Sequence, residues 1–344
     1  MKLAVVGATG AVGTEILRIL DERAFPFTEL VPVASPRSAG RRLSCQGQEW
    51  TVVALAESVF EGVDVALFDV SDELTQEWAP VAASRGALVI DNSAAFRMDP
   101  DVPLVVPEVN PGDAHEHPKG IIASPNCTTL AMVVPLAALH REVPVERLIL
   151  ASYQAASGSG RPGVEELWDQ IERVAKEPDL AREGRAGEVL SAGSTFAHPI
   201  AMNVIPQCGS VKQDGYTSEE LKLCDETRKI MGLPDLRVTA TCVRVPVVVG
   251  HGVAVHVEFA GPLSPERARS ILADAPGVEL LDDPSEANYP TPLHAAGKDP
   301  CYVGRVRQDR FDPNAIEMFC VTDNLRKGAA LNTVQVAELV LDPR

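Results

Sequence analysis

Basic residues are scarce in this 344-residue chain: 31 Lys and Arg stand against 48 Asp and Glu, a formal charge of −17. So large an excess of acid argues against a nucleic acid or an anionic membrane as partner, because phosphates are repelled over most of the surface. A small anionic substrate is still allowed wherever basic residues converge in one cleft. No run approaches the ~20 apolar residues of a membrane span, so no membrane partner is expected. No Cys-x-x-Cys pair occurs. The seven cysteines (Cys45, Cys127, Cys208, Cys224, Cys242, Cys301, Cys320) are odd in number and scattered. Neither a zinc knuckle nor a disulfide scaffold is suggested. No metal is expected, and a reducing cytoplasm is the expected compartment. Internal repeats and low-complexity tracts are also missing, and the 27 prolines are dispersed as loop punctuation. What remains is ordinary globular composition, 45% hydrophobic and 23% charged. It excludes a disordered chain and, at this length, suggests two domains.

The apolar N-terminus could pass for a weak signal peptide, but a strand and helix fit it better. Lys2–Val6 is a short apolar run ending in glycines at positions 7, 10 and 13. Thr14–Arg23 then reads as a helix with Ile16, Leu17, Ile19 and Leu20 on its buried face. Further apolar runs at Leu30–Ala34, Val63–Phe68, Ala87–Ile90 and Leu104–Val106, with helical pattern at Leu74–Ser84, predict a parallel, doubly wound α/β sheet. Thr128–Arg141 reads as an apolar helix that Pro135 should kink or break. Beyond it come strand-like Arg147–Gln154, an amphipathic helix at Pro162–Lys176, and alternating stretches at Leu236–Val245 and Val253–Phe259. In the last, Val255, Val257 and Phe259 face one way, with His256 and Glu258 on a solvent face. This is the period of a largely antiparallel sheet covered on one side. Strands at Tyr302–Val306 and Ile316–Thr322 and a helix at Lys327–Leu341 complete the chain. The predicted division is a Rossmann-type dinucleotide-binding domain, 1–126, completed by the returning helix 327–344, and an α+β catalytic and dimerisation domain, 127–326.

Gly7-Ala8-Thr9-Gly10-Ala11-Val12-Gly13 at the first strand–helix junction is a dinucleotide signal. Such a turn lets backbone approach a pyrophosphate at the positive end of a helix. A tight turn without a ligand is the plainer alternative. The second strand leads into Ser35-Pro36-Arg37-Ser38. An NAD-preferring site often puts Asp or Glu here to grip the ribose 2′-hydroxyl. A guanidinium and two hydroxyls suit a 2′-phosphate instead, which favours NADP, although Arg37 also reads as a solvated loop charge.

Cys127 lies in Ser124-Pro125-Asn126-Cys127-Thr128-Thr129, ahead of the apolar helix. A cysteine at a helix start has its thiolate stabilised by unpaired N–H groups and the dipole. Those groups, with Asn126, suit an oxyanion. A buried, inert cysteine is the competing reading. Cys208 and Cys224 lie in polar surroundings, and the remaining four in or beside strands; none combines loop, Asn and helix start. His251, ending Arg244-Val245-Pro246-Val247-Val248-Val249-Gly250-His251, is the candidate base, though a lone histidine is more often structural.

GATGAVG at the N-terminus, SPNCTT around Cys127, SYQAASGSG from Ser152, RVPVVVGH ending at His251 and DNLRKGAALNTVQ near the C-terminus occur together and in order. With these five motifs the chain resembles the aspartate-β-semialdehyde dehydrogenase family over nearly its full length. The resemblance implies NADP-dependent conversion of β-aspartyl phosphate to aspartate-β-semialdehyde and phosphate in aspartate-family amino-acid biosynthesis, serving lysine, methionine, threonine and diaminopimelate. It implies Cys127 as nucleophile, His251 as acid–base, and Gln154 orienting the acyl intermediate. It also implies Arg244 as the clamp on the substrate α-carboxylate, Glu219 as partner of its amino group, and Lys222 and Arg97 as phosphate ligands. Ser157 and Gly158 resemble nicotinamide-side contacts, and Asn324 a late contact on the same cofactor. A homodimer is implied, with a tetramer as the alternative. Without the family, Glu219 and Lys222 read as a surface ion pair.

One segment departs from the family, which commonly has small Ser and Gly residues after the fourth strand of the first domain. Here the chain reads Phe68-Asp69-Val70-Ser71-Asp72-Glu73. A carboxylate at Asp69 facing a pyrophosphate would weaken cofactor binding, whereas Asp72 capping the next helix would cost little. The rival readings are a reductase of another acyl phosphate, such as N-acetyl-γ-glutamyl phosphate, a specialised-pathway paralogue, and a non-catalytic NADP-binding redox sensor.

Overall fold

In the computed structural model, which describes residues 1–341, the chain forms two compact units. The first holds Met1–Ala137, Asp225–Asp235 and the segment from Leu325; the second holds Ala138–Cys224 and Leu236–Asn324. The division thus falls inside the helix that follows Cys127 rather than at 126, and the last segment begins at 325 rather than 327. Residues 342–344 of the expected closing segment lie outside the described residues.

The first unit carries β1 (Lys2–Val6), α1 (Ala11–Glu22), β2 (Glu29–Ala34), a hairpin of β3 (Arg42–Cys45) and β4 (Gln48–Thr51), and β5 (Val53–Ala54). Then come β6 (Val65–Phe68), α2 (Asp72–Ser84), β7 (Leu88–Asp91) and β8 (Ile121–Ala123). Six strands pair in the order β5-β2-β1-β6-β7-β8, all parallel. The order reverses at β1, and ligands of doubly wound sheets bind at such a switch point, beyond the carboxyl ends of the strands. Ile16, Leu17, Ile19 and Leu20 are buried as the pattern requires. The expected strand at 104–106 does not form. Leu104 makes a single bridge to Ala123. The Asn110 amide instead binds the Val106 N–H (2.8 Å) and the Leu104 carbonyl (2.9 Å), supplying locally what a ladder would provide.

α3 (Cys127–Glu142) runs unbroken through Pro135. Every residue from Leu130 to Leu139 apart from the proline is an apolar buried side chain. That burial outweighs the hydrogen bond the proline removes, worth ~3 kcal/mol with its steric term.

In the second unit, β9 (Val145–Gln154) is followed by α4 (Gly160–Lys176), a short α5 (Pro178–Arg182) and the start of α6 (Ser218–Met231). β10 (Arg237–Arg244), β11 (His251–Phe259), α7 (Pro265–Asp274), β12 (Val278–Leu280), a one-turn α8 (Pro292–Ala295), β13 (Cys301–Gln308) and β14 (Ala315–Thr322) follow. The sheet order is β10-β9-β11-β14-β13-β12. The central pairings are antiparallel and the two edge pairings parallel. Along β11, Val253, Val255, Val257 and Phe259 are buried. His256 is only half-exposed, because Glu317 and Glu258 flank its ring at 2.6 and 3.4 Å. The closing segment starts as a π-helical turn, Arg326–Ala330, and continues as α9 (Leu331–Leu341) in the first unit.

Candidate active site

In the first unit, Cys127 is the first residue of α3. The Asn126 side chain accepts the Thr128 N–H at 2.9 Å, which caps the helix. Cys127 is partly exposed, whereas the other six cysteines are buried, including Cys208 and Cys224, whose polar neighbours in sequence had suggested otherwise. Burial, with Asp21 as the lesser cause, pushes the Cys45 thiol up to about 11. Burial likewise pushes Cys242 and Cys320 well above the usual thiol range. The burial that the inert-cysteine description implies is found at those six and not at Cys127.

Two buried charges hold the loop before Cys127. Arg97 donates from Nε to the Ser124 carbonyl (2.8 Å), from Nη2 to the Asn92 carbonyl (2.6 Å) and from Nη1 to Glu226 (2.9 Å). Glu226 also accepts the Asn126 N–H (2.7 Å) and the Thr129 hydroxyl (3.0 Å). Burial opposes the Arg97 charge, but Glu226, then Asp91 and Cys127, raise its pKa overall. Arg97 thus spends these donors on the loop ahead of Cys127, on Glu226 and on the turn after β7. Glu226 escaped the sequence reading, since an acid inside the polar stretch Cys224-Asp225-Glu226-Thr227 carries no sign of burial. Its place seven residues after Glu219 on one helix was the available signal.

The second unit gathers Gln154, Arg244 and His251 at one end of its sheet. Parallel pairing sets Arg244 opposite Gln154, and antiparallel pairing sets Gly252, next to His251, opposite Tyr153. All three side chains are buried. The Ala155 peptide ties two of them together: its N–H binds His251 Nδ1 at 3.0 Å, and its carbonyl accepts Arg244 Nη1 at 2.6 Å. With Nδ1 accepting, a neutral His251 carries its proton on Nε2. Burial first, and Arg244 second, pull its pKa down to about 3. The Arg244 guanidinium lies 5.9 Å over the Phe196 ring. A Cβ at Gly158 would stand 2.7 Å from Arg244 Nη1 and 3.1 Å from His251 Nε2, so the SGSG segment needs glycine here for close approach. Asn324 bonds Ser157 Oγ (2.9 Å) and the Gly250 N–H (2.8 Å), which places both predicted cofactor contacts beside the histidine turn.

Glu219 and Lys222 form an ion pair at 2.7 Å, both partly exposed. Neighbouring Glu220 is structural. With Thr217 it makes a reciprocal capping box (2.7 and 3.3 Å), and it also accepts the Cys242 N–H.

The glycine turn sits at the switch point of the first unit. Gly7 has φ +95°, and a Cβ there would lie 2.0 Å from the Asp69 carbonyl; one at Gly13 would lie 2.1 Å from the Gly7 carbonyl. These two glycines close the turn. Gly10, the exposed N-cap of α1, would meet no atom closer than 3.2 Å, and so leaves the helix terminus accessible. Thr9, Ala11 and Val12 are exposed or half-exposed around it. Ser35 precedes a 3₁₀ turn, Pro36–Ser38, with Arg37 exposed and no acid at the end of β2. A dinucleotide fits this cradle. Asp72 does not cap α2. Ser71 does, accepting the Leu74 N–H at 3.4 Å, while Asp72 accepts the Ala94 N–H at 2.7 Å.

Two family models match the chain: semialdehyde dehydrogenase, NAD binding domain, over residues 2–117, and semialdehyde dehydrogenase, dimerisation domain, over 136–327. Aspartate-semialdehyde dehydrogenase of Streptomyces akiyoshiensis is 50% identical, covering 99% of this chain and 98% of the relative. The enzyme of the same name from Aquifex aeolicus is 46% identical with the same coverage. Among solved structures, aspartate semialdehyde dehydrogenase II of Vibrio cholerae, complexed with ASA, superposes with a TM-score of 0.91 at 41% identity, covering 99% of this chain and 98% of that one. A Candida albicans structure with NADP shares the fold, with a TM-score of 0.73 at 23% identity over 99% and 98% of the two chains.

Proposed function

The chain belongs to the semialdehyde dehydrogenase family, and from that membership and its side-chain arrangement we propose that it is an NADP-dependent aspartate-semialdehyde dehydrogenase working through a Cys127 thioester. The observation that carries this reading is the single partly exposed thiol, at a capped helix start, among seven cysteines. The Cys127 thiolate attacks the acyl carbon of β-aspartyl phosphate. The bond to the phosphate oxygen breaks, phosphate leaves and a thioester remains. The α3 N–H groups and Asn126 stabilise oxygen charge in each tetrahedral species. A bound nicotinamide supplies the hydride that takes the acyl group to the aldehyde level. His251, neutral with its proton on Nε2, donates that N–H as a hydrogen bond to the oxyanion that follows, which collapses to the aldehyde as the C–S bond breaks and the Cys127 thiolate leaves. Gln154 orients the acyl group, Arg244 holds the α-carboxylate, Glu219 meets the amino group and Lys222 takes the phosphate, while Arg97, expected from the resemblance as a second phosphate ligand, holds the loop ahead of Cys127. The N–H groups of Gly10–Gly13 would hold the diphosphate, with Gly7 and Thr9 shaping the turn. Ser35, Arg37 and Ser38 would hold the 2′-phosphate, and Ser157, Gly158 and Asn324 the nicotinamide side.

We assign the protein to the cytoplasm and to a homodimer built on the second unit, matched by the dimerisation model. Ile149 and Tyr153 of β9 are exposed on its sheet. Among the described residues, no helix is long and apolar enough to cross a membrane.

The test is phosphate-dependent NADP reduction with aspartate-β-semialdehyde, beside Cys127→Ser. Turnover is expected in wild type and none in the variant, with NADPH binding intact in both. A covalent acyl adduct on Cys127 after acid quench, seen by mass spectrometry, would complete the proof. Tight NADPH binding without turnover would point to a sensor, and turnover only with an N-acylated or foreign aldehyde to a different reductase.

A further inference from the structure

The segment after β6 carries a feature that the proposed reaction does not use. Asp69 follows the last residue of β6, on the far side of the switch point from β2. Its backbone lies against Gly7, where a Cβ would collide with its carbonyl at 2.0 Å. Its carboxylate turns into the glycine turn. Oδ2 lies 3.8 Å from the position of a Gly10 Cβ, at the N-cap of α1. The first-turn N–H groups that start there are the donors a helix offers to a bound anion. The protein has therefore placed a carboxyl group of its own in the cradle.

We propose that Asp69 competes with the cofactor's diphosphate for the α1 N-terminus, so that the dinucleotide binds with uptake of a proton from solvent onto the Asp69 carboxylate. This rests on the NADP reading above and adds how that site's affinity is set. The surroundings of Asp69 favour its neutral form. Burial and then Asp91 push its pKa up to about 7, and the Gly13 N–H is the opposing contribution. From β7 it faces Asp91, itself raised chiefly by burial and bonded to the Ser93 N–H and hydroxyl. From α2 come Asp72, committed to the Ala94 N–H, and exposed Glu73, whose own helix N–H and Ser71 hold its pKa low. Glu15 of α1 is tied to Arg18 and Arg326. Arg97, the cation acting on Asp91, is bonded to Glu226. A diphosphate arriving beside Asp69 would raise its pKa further, and the carboxylate would take a proton rather than share the cradle charged.

The experiment is calorimetric titration of NADPH into the full chain between about pH 6 and pH 8.5, in two buffers of different ionisation heat, for wild type, Asp69→Asn and Asp69→Ser. Wild type should bind about tenfold more tightly at pH 6 than at pH 8 and take up protons near pH 7. Asp69→Asn should lose that slope and that uptake, and bind about tenfold more tightly than wild type at pH 8. The cofactor's own 2′-phosphate titrates near pH ~6 and gains charge as pH rises. It acts equally in all three proteins, and its attraction to Arg37 gives the opposite slope. A slope and proton uptake unchanged in both variants overturn the inference while leaving the NADP reading intact. Should both variants fail to fold, wild type alone decides, and no proton uptake near pH 7 overturns the inference. Absence of NADPH binding by wild type at every pH overturns the NADP reading and the inference with it.

Discussion

Cys127 and His251, the side chains we propose as nucleophile and oxyanion donor, are held by opposite means. Around Cys127 the loop is fixed by buried charge: Arg97 and Glu226, with side chains 8% and 1% exposed, bond the main chain at Asn92, Ser124 and Asn126. Around His251 the ring is fixed by a neutral peptide, Ala155, and the neighbouring turn by the Asn324 amide. The difference follows from what each group must do. A thiolate is favoured by a guanidinium within electrostatic range, and that guanidinium needs an anion to be tolerated when buried. An imidazole that starts neutral is favoured by burial and by a neighbouring positive charge, here Arg244, and a carboxylate in the place of Ala155 would undo that.

Removing His251 should give the larger kinetic effect. His251→Asn is expected to lower kcat by about 10²–10⁴-fold with little change in NADPH affinity, as steady-state and titration measurements would show. A pKa of about 3 means that wild-type His251 stays neutral across the working range. The sign for stability follows from the depression of that value in the fold. The contribution is present above the unfolded histidine value of ~6.5 and is lost as pH falls through the folded value of about 3. Acid unfolding of His251→Asn should accordingly be shallower than that of wild type over this window.

The charged half should break through stability. Glu226→Ala leaves Arg97 buried without its carboxylate, and the loss should be about 3–5 kcal/mol in denaturant unfolding. Asn324→Ala, the matching cut in the neutral half, should lose only about 1–3 kcal/mol. Equal losses would mean that the charge at Glu226 adds nothing to a plain hydrogen-bond anchor. Arg244→Lys tests the clamp between these extremes. The Ala155 contact and the stacking on Phe196 both use the planar fork, so KM for aspartate-β-semialdehyde should rise about tenfold or more, with kcat less affected.

Much of this arrangement was legible in the sequence, and the parts that were not share a cause. Strand–glycine–helix order gave the first unit, and two-residue alternation along Val253–Phe259 gave the covered face of the second, because both periods report burial directly. Pro135 misled, because a helix buried all round tolerates a missing hydrogen bond that an exposed one would not. The unit division fell elsewhere because residues 225–235 are tied by Glu226 and Lys229 to loops over a hundred residues earlier. The Lys229 ammonium donates to the carbonyls of Arg97, Asp99 and Val102 at 2.7–2.8 Å. Long-range polar pairing leaves no period. The role of Ala155 was invisible for a different reason, since its function is carried by its peptide group and any residue type supplies one.

The smallest expected effect concerns the edge of the cofactor cradle. Arg37 is exposed, on a 3₁₀ turn that begins two residues after β2, and a charge in that setting works against full solvent screening. Its attraction to a 2′-phosphate, as we propose it, would therefore be modest compared with the buried anchors of either half. Replacing NADP by NAD should lower kcat/KM by over about tenfold, near 1.4 kcal/mol. Arg37→Ala should narrow the gap by weakening NADP while sparing NAD. Because the interaction is screened, raising ionic strength should narrow the same gap in wild type and leave the variant almost unmoved. Equal use of NADP and NAD by wild type at low salt would remove Arg37 from the site and leave the Ser35 and Ser38 hydroxyls as the remaining polar side chains on that turn.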